Sequence, residues 1–490
     1  MSYGTDGDRQ ERLYSLWTRR FCQFVRIACG DAAASVFPAA NPRCYAHAVR
    51  VPRVSVASVP LLAGALGLLA TAGIPASTAG HRLPPEKRTL TDAVTGATLH
   101  VLTSDPANDS KPYQTHPTWT ADGKWILFRS DRAGSGPQAF LVSEQTGDII
   151  QVTEGPGTDI GSLNLSRKAN RLFYMRRDGA TRRQLVQLDL DPLIADALSG
   201  TPRDAAAYER VVATLPEELR DSGGFALDAD ETKAYWGVAW GPPPARPAQP
   251  IDRQNTDPAQ SREANRQRFE AAGRGTGGIR SIDLRTGAVG KVIDVAFRMG
   301  HVQANPWVPG EIVYCHETTG DAPQRIWTVH ADGTGNRPLY VETPDEWVTH
   351  ETVAGADEVM FNVLGHLPYL RERPTGLAVV NLRNGHVTML GQVDEETDGG
   401  GTGGLWHGNG SPDGRWAVAD TFKGDVYLID RRSGERILLT TGHKMRPDHA
   451  HPIFSPDSRR VLIQSGKLTD GASLDLIVVD VPDRKGGAIR

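Results

Sequence analysis

A chain of 490 residues with 54 Lys and Arg against 58 Asp and Glu carries a net charge of −4. That balance supplies no basic footprint for nucleic acid or for an acidic membrane surface. The 52 Gly and 33 Pro are spread along the chain, which excludes one long disordered tract and reads as turns between many short strands.

Three of the four cysteines (Cys22, Cys29 and Cys44) precede residue 50, so the body of the chain holds only Cys315 and no disulfide framework. Cys315 reads as a small buried strand residue. Residues 54–74, VSVASVPLLAGALGLLATAGI, form an apolar run after Arg50 and Arg53 and before a small-residue exit at Ala76–Gly80. This is the layout of a secretory signal peptide, and its Pro and Gly make it a poor membrane anchor. Residues 1–48 show no periodicity, so translation is expected to start near Val49 or Val51. Residues 1–80 are expected to be an N-terminal extension plus signal, absent from a mature periplasmic or secreted protein.

From residue 116 a pattern recurs: a short polar turn, then a strand of alternating apolar residues. Its copies begin at His116, Leu163, Phe225, Val302, His350, His407 and His451. Most hold Asp-Gly or a relative between two β-rich runs, a strong hairpin signal because Gly accepts positive φ. A second hairpin follows most copies, as in AFLVSEQTGDIIQVT and VYLIDRRSGERILL. Two hairpins per unit make a four-stranded blade, and seven units make a β-propeller. A Pro-rich stretch at 241–250 and a polar helix at 255–273 read as an insertion in the third unit. The seventh unit ends short after LDLIVVDV. A spare strand at 97–104 is expected to complete it, closing the ring and removing exposed edges. Residues 83–490 are thus expected to be one domain, all-β.

Of fourteen histidines, six gather where the inner strands begin: His116, His301, His350, His407, His449 and His451. On a strand, residues i and i+2 face one side, so His449 and His451 are expected to reach the axis as two arms of one metal site. His350 would join from two blades away, with Asp448 orienting an imidazole. Neutral imidazoles suit several divalent metals. Gln114, Gln303, His116 and Trp406 are expected at the same cleft, with Trp406 packing under the next blade. The glycines at 399–401 and 403–404 lack a strand-loop-helix setting and read as a loop.

The strings GHVQANPWVPGEIVYCHE, RIWTVHADG, WVTHE, HGNGSPDG and HAHPIFSPD resemble the oligogalacturonate lyases, polysaccharide lyase family 22. The resemblance covers most of 88–485 and is weakest in the second and third units. It implies a seven-bladed propeller with Mn²⁺ on the axis, held by histidines and a glutamine. His350, His449 and His451 match the histidine ligands. The stretch before the pair, His443-Lys444-Met445-Arg446-Pro447, has no glutamine, leaving His407 or water for the fourth position. His301 matches the catalytic base and Arg280 the essential arginine. Arg298 is expected as a further substrate clamp, and Gln303 and His116 as substrate contacts. The implied reaction is β-elimination on short 4-linked galacturonides or related uronates. A non-catalytic periplasmic binding propeller of TolB-like type is the alternative. A hydrolase ranks last, since no G-x-S-x-G nucleophile motif stands out.

Overall fold

The computed structural model describes residues 78–482 apart from 105, 180, 243–257, 319–323, 344–345, 366–375, 394 and 397–401. The signal-peptide segment and the expected start near Val49 lie outside the described residues. Seven antiparallel sheets form the blades; in the second to the sixth the strands lie side by side in chain order. A two-stranded ribbon, Glu395–Glu396 with Thr402–Gly403, stands apart from them.

Local turn chemistry explains the repeat. Thr120 Oγ1 donates to Asp122 Oδ1 at 2.6 Å, Ser411 to Asp413 at 2.6 Å and Ser455 to Asp457 at 2.5 Å. The same hydroxyl-to-carboxylate brace therefore shapes the inner turn of blades 1, 6 and 7. The left-handed residue closing that turn is Gly123 at φ 70° in blade 1 and Ser458 at φ 62° in blade 7.

Ring closure follows the expected scheme. Strand Thr98–Val101 pairs with Asp475–Asp480 of blade 7, in the register Leu99↔Val479 and Val101↔Ile477. Arg88–Thr91 then adds a fifth strand outside it. The chain entering the ring also laces blade 1, where Arg82–Leu83 pairs with Ile149–Gln151. The innermost element of blade 1 is reduced to a bridge between Trp119 and Ile126.

The core lies as slabs between neighbouring blades. Leu99, Val101, Ile477 and Val479 of blade 7 pack with Trp416, Val418 and Leu428 of blade 6. Leu462 and Val478 pack with Ile126 and Phe140 of blade 1. Each such buried side chain contributes about 1.5–3 kcal/mol. Cys315 is fully buried in strand Glu311–His316, as expected of a strand residue.

Two helices interrupt the blades. Pro258–Ala272 is the expected insertion in blade 3. Leu190–Ser199, inside blade 2, was not expected from the sequence. Its buried Leu190, Leu193, Ile194 and Ala197 nevertheless recur at helical spacing, and Gly200 closes it in a left-handed cap. Among the described residues no helix is long and apolar enough to cross a membrane.

Candidate active site and metal centre

At the end of the ring where the inner strands begin, the first strands of blades 4, 5 and 6 break their ladders. Pairing slips between Gly300 and Gln303, between Thr349 and Thr352, and between Leu405 and Gly408. Such bulges bend a strand and re-aim a side chain. His301 has φ 45°, His350 φ 58° and His451 φ 45°, a left-handed conformation that is costly for a residue with a Cβ. Gly300 permits one of these kinks, since a Cβ there would lie 2.9 Å from Cys315 Sγ.

Four imidazoles gather here, two of them (His350 and His407) from these bulges. Ring centroids lie 4.1 Å apart for His350 and His407, 3.7 Å for His407 and His451, and 5.0 Å for His407 and His449. His449 and His451 converge, but not as two positions of one strand. The inner strand of blade 7 begins only at Ile453, and the left-handed turn at His451 does the aiming.

Three of the four imidazoles are held from behind by a hydrogen bond. His407 Nδ1 donates to Asp420, 3.1 and 3.2 Å from its two oxygens. The same carboxylate accepts the backbone N–H of His407 at 2.7 Å and of His451 at 3.0 Å. Asp420 is fully buried and ties blade 6 to blade 7. His451 Nδ1 donates to Gln114 Oε1 at 2.9 Å. His350 Nδ1 shares a hydrogen bond of 2.8 Å with Tyr113 Oη. Two ring nitrogens, His350 Nε2 and His449 Nδ1, are buried without a hydrogen-bond partner.

Burial pushes these imidazoles toward the neutral form, against the pull of Asp420 and Asp448 on His407, His449 and His451. His407 falls to about 4, and His350, His449 and His451 also lie below the usual histidine value. Neutral imidazoles with unpartnered nitrogens turned inward are the donor set a divalent transition metal takes. The buried Lys111 stands close by. Burial first, and then Arg129, pushes it down to about 7.

His301 belongs to an adjoining cluster. Its Nδ1 is 2.9 Å from Glu351 Oε1, and Arg325 Nε lies 3.9 Å from the other oxygen. Arg325 also pairs with Glu317 at 3.4 Å. Burial alone would depress His301, but the Glu351 carboxylate raises it above its ordinary value. The Tyr113 ring stands between the clusters, 5.3 Å from both His301 and His451.

The other expected site residues are placed differently. Arg280 lies on strand Arg274–Asp283, third from the axis in blade 3. There it binds Asp294 at 2.7 Å and covers Trp240. Its side chain reaches along the blade to the outermost strand, where Asp294 lies opposite Gly278. Gln303 is buried, and both ends of its amide serve the backbone of blade 5, at Glu351 O and Val353 N. His116 bonds Phe225 O at 3.1 Å and lines a separate cavity of about 110 Å³ with Arg167, Lys168 and Glu231. Arg298 is half-buried and precedes the inner strand of blade 4, three positions before His301. Trp406 packs on His350 and Phe422, at 4.3 and 4.5 Å.

The sequence reading missed Tyr113, Lys111, Arg325, Glu351 and Asp420. Two carried a signal: Glu351 follows His350 directly, and Tyr113 sits three residues before His116, at the position where histidines gather. The rest depend on contacts between blades.

No protein-family model matches the chain. Over 425 residues it is 24% identical to an oligogalacturonate lyase of Dickeya dadantii, covering 82% of this chain and 98% of that one. It is 23% identical to an oligogalacturonide lyase of Pectobacterium atrosepticum, with the same coverage of 82% and 98%. Among solved structures, an oligogalacturonate lyase in complex with manganese superposes with a TM-score of 0.64 at 20% identity, over 83% of this chain and 99% of that one. The Vibrio parahaemolyticus oligogalacturonate lyase gives 0.64 at 19% identity, over 84% and 100%. The resemblance carried by the histidine-bearing strings is thus borne out along the chain, and so is the propeller fold.

Proposed function

We propose that this chain is a metal-dependent lyase that cleaves short 4-linked galacturonides, or closely related uronates, by β-elimination. The observation that carries the reading is the four-imidazole cluster, with two buried unpartnered ring nitrogens, set beside a histidine braced by a buried carboxylate. The relatives' names and the manganese bound by one of them support it.

The residues fit a divalent ion, with Mn²⁺ favoured by that relative. His350, His449 and His451 would hold it, with His407 beside them. When bound, it would neutralise the substrate carboxylate and stabilise the negative charge that builds at C5. The remaining chemistry belongs to the chain. His301 Nδ1–H donates to Glu351, so the lone pair of Nε2 is left to take the C5 proton. The electron pair then forms the C4–C5 double bond as the bond from C4 to the bridging oxygen breaks. Arg325 holds Glu351 in its ionised form from the other side. Arg298, three positions before His301, would clamp a substrate carboxylate. The positions of Arg280, Gln303 and His116 give them supporting roles in blade packing instead.

The domain is proposed to run over 83–490, and the apolar run at 54–74 supports export to the periplasm or beyond. The test is direct: trigalacturonate plus Mn²⁺, followed by the absorbance of the unsaturated product. A rise in absorbance is expected. No rise with any 4-linked uronate at any divalent metal would overturn the lyase reading in favour of a non-catalytic propeller.

A further inference from the structure

We infer that His301, Cys315 and Glu351 form a second cation site, separate from the four-imidazole cluster, that takes a thiophilic divalent ion such as Zn²⁺ or Cd²⁺. The site stands on its own geometry; its effect on turnover rests on the proposed role of His301.

Blades 4 and 5 place the donors. Cys315 lies directly opposite Gly300 on the neighbouring strand. Gly300 lets the two strands close on the thiol, because a Cβ there would stand 2.9 Å from Cys315 Sγ and 2.9 Å from Glu317 Cβ. The slip in pairing after Gly300 and the left-handed turn at His301, φ 45°, then aim the imidazole at blade 5. There Glu351, on strand Glu346–Gly355, meets its Nδ1 at 2.9 Å. One ring nitrogen of His301, the Cys315 sulfur and one carboxylate oxygen of Glu351 lie within 4.8 Å of one another. Around a single tetrahedral ion such donors stand about 3.4–3.6 Å apart, so the cluster needs to close by about 1 Å. The His301 side chain is 29% exposed while the other two are buried, so an ion enters from the cleft, past the imidazole.

Donor type and charge agree. Imidazole, thiolate and carboxylate together suit Zn²⁺, whereas Mn²⁺ prefers oxygen and leaves a thiolate to softer ions. Coordinating capacity is left in reserve: Glu351 is fully buried, and its Oε2 has no hydrogen-bond partner. Arg325 Nε, 3.9 Å from that oxygen, has none either. Glu317 Oε2 lies 3.9 Å from the Cys315 sulfur and 3.4 Å from the Arg325 guanidinium. Two carboxylates and a thiolate against one guanidinium leave two negative charges, which one divalent ion neutralises. The S–H proton leaves to solvent as the sulfur–metal bond forms. An ion on His301 Nδ1 moves the imidazole proton to Nε2, the nitrogen whose lone pair takes the C5 proton in the proposed lyase. It therefore switches off the base without occupying the four-imidazole cluster.

The test is Cd²⁺ titration of the Mn²⁺-loaded chain, read by the ultraviolet charge-transfer band of a cadmium thiolate. Cys22, Cys29 and Cys44 are first replaced by Ser, so that Cys315 is the one thiol in the chain. A band that grows with Cd²⁺ and saturates is expected, and Cys315→Ser should abolish it. His301→Ala and Glu351→Gln should each raise the Cd²⁺ needed for half-saturation by about 10-fold or more, the loss that even outer partners of a metal cause. Melting without Cd²⁺ checks the fold of each variant. No band, or a Cd²⁺ dependence unchanged in both His301→Ala and Glu351→Gln, would overturn the site and leave Cys315 an ordinary buried thiol. Product formation from trigalacturonate should fall in step with the band, and Cys315→Ser should need more Cd²⁺ for the same fall. Full activity at a saturated band, or equal inhibition of Cys315→Ser, would overturn the switch. No product before any Cd²⁺ is added would sink the lyase reading, while the band still decides the site.

Discussion

Replacing Glu351 by Gln is the most informative perturbation of the proposed base. Glu351 is fully buried, and its charge sits 2.9 Å from His301 Nδ1. A hydrogen bond to a charged group is worth about 1.5–3 kcal/mol, and one pKa unit corresponds to about 1.4 kcal/mol. Losing the carboxylate should therefore lower the His301 pKa. The sign matters. The base must be neutral to act, and Glu351 raises its pKa, so the acid limb of kcat/KM should move to lower pH in the variant. The plateau should also fall, because a Gln amide donates to Nδ1 as readily as it accepts from it, favouring the tautomer with the proton on Nε2. A drop of about two to four orders of magnitude in kcat is expected, by analogy with removing the charge behind other catalytic histidines. The assay is the rate of unsaturated-product formation from trigalacturonate between pH 5 and 9, with Mn²⁺ affinity measured in parallel. An unshifted acid limb with an unchanged plateau would refute the reasoning.

Other expectations follow from the same geometry. His301→Ala should abolish turnover and leave Mn²⁺ binding intact; loss of the metal would show that His301 is a ligand instead. Asp475 is 1% exposed, neither carboxylate oxygen has a hydrogen-bond partner, and burial with the charge of Asp109 pushes it up to about 7. Its raised value means stability that is full at acid pH and is lost as pH rises from about 4 to about 7, by about 4 kcal/mol for three units. Asp475→Asn should therefore melt higher than wild type at pH 8 but not at pH 4, and equal offsets at both would contradict this. Leu99→Ala, in the strand that closes the ring, should cost about 2–5 kcal/mol in denaturant titration. A cost below about 1 kcal/mol would mean that the closing strand is not holding the ring.

The propeller was legible because its signals are local. The turn at Thr120-Ala121-Asp122-Gly123 and its relatives at Ser411 and Ser455 state where each inner hairpin bends. The closing strand was legible by subtraction, since LDLIVVDV ends the chain one strand short. The helix at Leu190–Ser199 was missed because ten residues of helical spacing were read against a strand-rich background. Within the site, the histidines at the openings of the units were visible as a group. How His449 and His451 converge was not, because a left-handed kink at His451 overrides the strand alternation that the sequence suggests. Arg280 sits in a setting that its sequence did not announce. Its local string resembles a family motif, but its guanidinium bonds Asp294, which lies opposite Gly278 on the next strand of the blade. Asp420, Arg325 and Tyr113 act across blades, at sequence separations that no local pattern reports.

The central claim is elimination at a uronate, and mass balance of the products tests it most directly. Trigalacturonate digested by the Mn²⁺-loaded protein should give products whose masses sum to that of the substrate, with one of them carrying the C4–C5 double bond. Products whose masses sum to substrate plus one water would contradict the account, as would an unconsumed substrate.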